Sequence, residues 1–350
     1  MSNDSRRFSR SERGILGGLS ICICILWLGC YPPEQKRTGN RLMMGSFGSV
    51  IVYASDARKG DDAIDQALTR METVDKLMSH YKPDSEISQI NRLAGYQALQ
   101  VSVDTFRVIQ AAINYSQQTD GAFDITIAPL VQSWGFFKHE QRIPSLEEIQ
   151  RERSLVDFHR IQLHEADRSV FLKETGMQLD LGGIAKGYAV DLAAEALRKG
   201  SIMDALVNLS DSTFFALGHP PGKAFWQIAI QHPRKKDAIL GTISLTNQAL
   251  ATSSDSEQFF IHEGVRYSHI LDPRTGYPVS NGVVSTTVIA PTGIEADALS
   301  TAVFVLGAVE GMKLIQARDG VEGVIVRETP TGELIIEVSP GLKERFEPQQ

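Results

Sequence analysis

Two oxygen-bearing side chains four residues apart, Asp297 and Thr301 in "IEADALSTAVFVLG" (294–307), share one face if that segment is helical. A carboxylate and a hydroxyl so placed suit a hard cation such as magnesium. They suit equally well an exposed first turn, where Asp complements the helix dipole and Thr faces water. "LDLGGIAKGYAVD" (179–191) poses a related choice. It is not a P-loop, because Tyr188 stands where a magnesium-binding Ser or Thr would follow Gly187. Gly182 and Gly183 let backbone groups approach a ligand closely, Lys186 can meet a phosphate as a point charge, and Asp180 can hold a polar head group or position a water. A tight strand–helix turn with a solvated lysine reads the same letters. In "HILDPRTGYPV" (269–279), His269 is a candidate proton carrier or simply a satisfied polar residue, while Asp272 and Arg274 lock the loop. "TDGAFDITIAPL" (119–130) offers Phe123 to a flat ring and Asp124 to its donors, or else a helix C-cap and a core phenylalanine, with Trp134 in the core.

The elements that must position these residues follow from periodicity. Apolar residues at Ile64, Ala67, Leu68, Met71, Val74 and Met78 predict an amphipathic helix over 61–78, and a second spans 104–117. Ser145 and Glu148 form a capping pair at a helix start. "RIQLHEADRSVFLK" (160–173) predicts a hairpin, and strands are expected at 46–54, 205–209, 213–218, 226–231, 241–246 and 283–290. Helices near 294–306 and 308–318 precede a closing strand pair. The order lacks regular βαβ alternation, so the expected class is α+β: a single body with mixed or antiparallel sheets flanked by helices. "GSFGSV" has the wrong glycine spacing for a Rossmann fingerprint and precedes a strand.

The chain has 350 residues, 42% hydrophobic and 22% charged, with a net charge of −7. That balance argues against a nucleic-acid surface, which needs clustered Lys and Arg. The three cysteines, Cys22, Cys24 and Cys30, leave the body after residue 30 without disulfide, thiolate metal site or cysteine nucleophile. Arg6, Arg7, Arg10 and Arg13 precede an apolar stretch, Ile15 to Leu28, that ends in "LWLGC". This is similar to a lipoprotein signal peptide over 1–29 with lipidation at Cys30; an uncleaved anchor or a non-lipid signal peptide are the alternatives. The expected organisation is that leader, a Pro- and charge-rich tether over 30–40, and a folded domain over 41–345, exported and lipid-anchored to a bacterial membrane on its periplasmic side.

"MGSFGSV", "LMSHYKPDSEISQIN", "TDGAFDITIAPLVQSWGF", "LDLGGIAKGYAVD", "SHILDPRTGYPV" and "EADALSTAVF" occur in this order over most of the body. Together they resemble the ApbE family of FAD:protein FMN transferases. The resemblance implies a T-fold-like core and magnesium-dependent transfer of FMN from FAD to a threonine hydroxyl of a partner, with release of AMP. The implied partner is a flavin-carrying subunit of a redox or sodium-pumping complex. By motif position, FAD contacts fall on Met44, Tyr81, Ala122, Phe123, Asp124, Asp180, Lys186 and Ile270, with the metal held by Gly183, Asp297 and Thr301. His269 takes the position of the base. After "VNL" the family shows Gly-Gly and then Asp or Asn, whereas this chain has Ser210-Asp211-Ser212, a turn expected to touch none of the assigned contacts. The same residues admit two other functions: an FAD pyrophosphatase giving FMN and AMP, and a non-catalytic lipid-anchored FAD-binding protein.

Overall fold

A computed structural model describes residues 34–137 and 140–349. The leader assigned to 1–29 and Cys30 lie outside the described residues. Eight strands form one sheet in the order β1 (Gln35–Met43), β2 (Ser46–Ala54), β6 (Ala205–Leu209), β7 (Thr213–Leu217), β10 (Gln248–Ser254), β13 (Val283–Ala290), β14 (Glu322–Glu328) and β15 (Leu334–Val338). Every neighbouring pair in it is antiparallel. Smaller sheets are formed by β3 (Leu99–Gln100) with β5 (Ser169–Leu172) and β4 (Ile161–His164), and by β8 (Trp226–Gln231) with β9 (Ile239–Leu245) and β16 (Phe346–Pro348). β11 (Phe259–His262) and β12 (Val265–Ser268) make a two-stranded hairpin. The helices are α1 (Ala57–Met78), α2 (Glu86–Arg92), α3 (Val103–Gln118), α4 (Ala128–Ser133), α5 (Leu146–Arg153), α6 (Ala185–Lys199), α7 (Gly293–Leu306) and α8 (Ala308–Gln316). The class is α+β, as expected, with the sheets resolved as antiparallel.

One face of the large sheet is covered by helices, with α1 on β1 and β2 and α7 on β10 and β13; α6 lies between α1 and α7. Ile64, Leu68, Met71 and Val74 of α1 are buried there. Burying a side chain of that size contributes about 1.5–3 kcal/mol. The helix begins a turn before Asp61 because Asp56 caps it, accepting from the N–H groups of Arg58 and Lys59. The opposite face of the sheet packs against β8 and β9 through Leu250, Ile289 and Val324 meeting Ile228, Ile230 and Ile243. The Ser145–Glu148 capping box is present, and the 160–173 hairpin forms with β4 and β5 antiparallel.

Two stretches depart from expectation. Most of the 30–40 tether is strand: β1 runs from Gln35 and pairs along its whole length with β2. Two of its four inward positions are Arg37 and Arg41, which reach the acidic face of α1 at Asp61, Asp65 and Glu72; of the other two, Gly39 and Met43, only Met43 is a buried apolar side chain. A charged edge strand of this kind shows no apolar alternation. β10, central in the sheet, lacked a strand signal because it reads "QALATSS". Its small residues sit beneath α7, where Ser253 Oγ lies 2.8 Å from Ser300 Oγ.

α6 and α7 touch through glycines. A Cβ on Gly187 would lie 2.0 Å from the Gly293 carbonyl oxygen, and one on Gly293 would lie 2.3 Å from the Gly187 oxygen. Neither helix has a side-chain cap of its own. Each instead receives a carboxylate from the other. Asp297 Oδ2 accepts from Gly187 N–H at 2.8 Å, and the Asp191 carboxylate accepts from the N–H groups of Gly293 and Ile294 at 2.6 and 2.9 Å. Gly187→Ala gains about 1 kcal/mol of helix propensity but forces backbone against backbone, which costs more than overpacking's usual 1–3 kcal/mol. Urea unfolding is expected to show a lower midpoint for this variant; an unchanged or higher one would mean the helices do not meet there.

Candidate active site

A cavity of about 850 Å³ opens where the helical layer meets the ends of several strands, within the size range of small-molecule sites. All twelve residues assigned from the sequence to nucleotide, metal or base line it. Met44 sits in the β1–β2 turn in a left-handed conformation, φ +49, followed by Gly45 at φ +70. Tyr81 follows α1, and Ala122, Phe123 and Asp124 follow α3. Asp180 and Gly183 lead into α6 and Lys186 stands in its first turn, His269 and Ile270 follow β12, and Asp297 and Thr301 stand on α7.

The exposed-turn alternative for Asp297 and Thr301 does not hold, because α7 is buried on nearly every side and Asp297 is 4% exposed. Burial pushes the Asp297 carboxyl up from the usual carboxylate range, against the opposing pull of the Lys186 charge and the Gly187 N–H. The glycine bend is adjacent: a Cβ on Gly183 would come within 3.1 Å of Thr301 Oγ1 and 3.2 Å of the Phe123 ring. A buried carboxylate, a hydroxyl and a close-approaching backbone form a donor set of hard oxygens. Among the described residues no group of three or more His, Cys, Asp and Glu converges. This composition fits magnesium, which is usually held by one or two carboxylates and completed by water and substrate phosphates.

The solvated-lysine alternative also falls. Lys186 Nζ donates to Ser212 Oγ at 3.0 Å, so the Ser210-Asp211-Ser212 turn does touch an assigned contact, contrary to expectation. The segment doubles back because β6 and β7 form a hairpin, which brings residue 212 over the start of α6, 26 positions away.

His269 is fixed by its backbone N–H and by its ring Nδ1, both on the Gln258 carbonyl, at 3.0 and 3.1 Å. A carbonyl only accepts, so Nδ1 carries the proton and Nε2 keeps its lone pair. Burial pushes the imidazole below the usual histidine value; Lys186 adds to this, while Glu257 and Asp180 oppose it. Neutral at physiological pH and with a free lone pair, it has the form of a base.

Burial works against the Asp180 carboxylate, but the His80 imidazole at 3.4 Å and the Gly182 N–H at 2.8 Å outweigh it and hold the group below its ordinary range. Asp124 is largely spoken for. Its carboxylate accepts from Thr126 N–H, Thr126 Oγ1 and Phe158 N–H at 2.8, 2.6 and 3.1 Å, which leaves little of it for a ligand. Asp272 and Arg274 pair with each other as expected, and Trp134 is fully buried with its indole N–H on the Gly276 carbonyl.

Sequence reasoning passed over His80, Phe137, Ser212 and Glu257, all on the cavity wall. His80 stacks on Phe137 and lies tilted against Tyr81, with ring centroids 4.1 and 3.9 Å away, and its buried Nε2 has no partner among the described residues. Its neighbour Tyr81 was the only available pointer. Ser212 stood out only as part of the departing turn, with no pointer to Lys186, and Glu257 carried no local signal.

Comparison with known proteins bears on the family and the fold. Residues 44–325 match the ApbE family. A Klebsiella pneumoniae FAD:protein FMN transferase is 32% identical over 286 residues, 81% of this chain and 87% of that protein. A Haemophilus influenzae protein of the same name is 33% identical, covering 80% and 81%. Among solved structures, the ApbE protein of Thermotoga maritima superposes with a TM-score of 0.80 at 32% identity, covering 90% of this chain and all of that one. The flavin transferase ApbE of Vibrio cholerae gives 0.78 at 29% identity, covering 89% and 100%.

The electrostatics of His269 can be read directly by NMR. Its imidazole is expected to titrate below the usual 6.5. Lys186→Met should move that titration up, because a repelling cation is gone, and Glu257→Gln should move it down. Shifts in the opposite directions would contradict the arrangement described.

Proposed function

The chain belongs to the ApbE family, and we propose from that premise that it transfers the FMN half of FAD to a threonine hydroxyl of a partner protein, releasing AMP, with magnesium at the site. One observation carries this reading: Gly187 and Asp297, 110 positions apart, bond to each other and so bring the Gly183 bend, Asp297 and Thr301 together beside Lys186 and His269 in one cavity.

Gly183, Asp297 and Thr301 would hold the cation, which would supply charge neutralisation at the diphosphate. Lys186 meets the diphosphate as a second positive charge. His269 Nε2 takes the hydroxyl proton while the threonine oxygen bonds to the FMN phosphorus. The bond from that phosphorus to the bridging oxygen breaks, and AMP leaves with that oxygen. Asp180, oriented by His80 and the Gly182 N–H, accepts from donors of the nucleotide, and the Phe123 ring and Ile270 supply apolar wall. Because the groups are fixed before substrate arrives, little reorganisation opposes the step.

The acceptor in this proposal is a flavin-carrying subunit of a redox or sodium-pumping complex. The enzyme would meet it at the periplasmic side of a membrane, held by lipid on Cys30. The support for that placement is the basic, then apolar, then "LWLGC" leader.

Asp297→Ala is expected to abolish magnesium-dependent transfer, read as loss of covalent flavin fluorescence on the acceptor in a denaturing gel; undiminished labelling would remove Asp297 from the metal site. His269→Ala should bind FAD normally and transfer about 10²–10⁴-fold more slowly; normal turnover would exclude it as the base. For the anchor, Cys30→Ser is expected to leave the protein without acyl label, and label retained by this variant would place the modification elsewhere.

A further inference from the structure

β8 is the outermost strand of its three-stranded sheet, in the order β16–β9–β8, and among the described residues no strand pairs with its other side. Its side chains alternate: Trp226, Ile228 and Ile230 are buried, while Gln227, Ala229 and Gln231 are exposed. Yet Ala229, Ile230 and Gln231 all line the cavity. Consecutive strand residues point to opposite faces, so one cavity touches all three only where it runs along the strand's edge. No described residue of β9 lines it, so that edge is the unpaired one.

The backbone groups on that edge follow from the ladder. Ser244, which stands opposite Gln227, gives its N–H to the Arg345 carbonyl at 2.9 Å, on the far side of β9. Where one residue of an antiparallel pair turns its backbone groups outward its partner does the same, and the pattern repeats every second residue. The register is unbroken from Trp226 to Ile230, so Gln227 and Ala229 both present N–H and C=O to the open side, Ala229 at the cavity. Such a row is a template for another extended chain. Phe214 and Leu250, which pack in one cluster with Ile230, give the cavity an apolar floor at this end. None of these residues is among those assigned to nucleotide, metal or base.

We propose that the unpaired edge of β8 is where the acceptor protein docks: an extended segment bearing the hydroxyl residue pairs with Ala229 as an added strand and turns that side chain into the cavity. The assignment rests on the reading of this chain as an FMN transferase. The backbone is the one feature every polypeptide acceptor shares, and strand addition grips it with main-chain hydrogen bonds while leaving alternate side chains free to be selected. Alternation sets which ones. The hydroxyl residue takes the face of Ile230, over Phe214 and Leu250, and its two neighbours share the solvent face with Ala229 and Gln231.

The test gives the full-length protein FAD, magnesium and a library of short peptides with one central threonine and randomised flanks, and reads FMN-sized additions by mass spectrometry. Wild type should label a subset. Members of that subset remade with single N-methyl groups should be labelled about tenfold more slowly when the methyl falls on alternate residues, the scale of one lost hydrogen bond, and at the original rate on those between. Ala229→Pro removes the outward N–H without touching the β9 ladder. It should lower labelling about tenfold at unchanged FAD affinity, and Ala229→Ser, which keeps the N–H, should label as wild type does. The N-methyl series leaves the protein untouched, so it decides the matter even if the proline distorts β8. Labelling indifferent to N-methylation would overturn the assignment, as would a protein that labels a co-expressed folded acceptor but no peptide. No bound FAD, or FMN and AMP released with nothing labelled, would instead sink the transferase reading, and the assignment with it.

Discussion

At Gly187 and Gly293 two helices meet with no side chain between them, and the distances elsewhere in the site depend on that contact. Move α6 and α7 apart by the width of a methyl group and Gly187 N–H no longer reaches Asp297, nor do Gly293 and Ile294 reach Asp191. The exchange of carboxylates has two effects. It satisfies N–H groups that helix starts leave open, and it gives the buried Asp297 a donor on Oδ2 where that residue lines the cavity. Burial pushes Asp191 up to about 6, while its own N–H partners oppose the shift. The helix pair therefore carries two carboxylates that solvent does not stabilise, one serving the fold and one facing the site.

The remaining charges divide in the same way. Asp124 is consumed by Thr126 and Phe158, and holds the loop that presents Phe123. Asp75 takes Lys82 at 2.7 Å and fixes the turn after α1. Asp180 has a histidine and one N–H. Lys186 has a neutral hydroxyl. All four line the cavity, but Asp124 with its three donors acts chiefly as a strut, whereas Asp180 and Lys186 keep hydrogen-bonding capacity for a ligand.

What could be read from the sequence follows from where each signal resides. α1 and α3 announce themselves because one face is buried and the other solvated, and the Ser145 cap is legible because its whole mechanism fits in four residues. The site residues were legible only as short motifs in succession; spacing alone left Asp297 and Lys186 balanced against ordinary surface roles. β1 and β10 were not legible, the first because ion pairs to α1 replace apolar alternation, the second because close approach of α7 selects Ala, Ser and Thr over bulk. The Lys186–Ser212 bond was invisible for another reason: it joins a helix start to a hairpin turn, and nothing in either segment mentions the other.

The β11–β12 hairpin leaves the cavity wall after Gln258 and returns at His269, and the Gln258 carbonyl holds both the backbone and the ring of that histidine. Phe260 and Tyr267 stack on each other and pack against Trp134 just beyond this base, while the tip at Glu263 and Gly264 turns in open solvent. The histidine's tautomer is thus insulated from whatever happens at the tip. Doubling a flexible loop costs only about 0.6 kcal/mol in closure entropy, so evolution can lengthen, shorten or recompose this excursion beside the cavity while the proton-accepting nitrogen stays where it is.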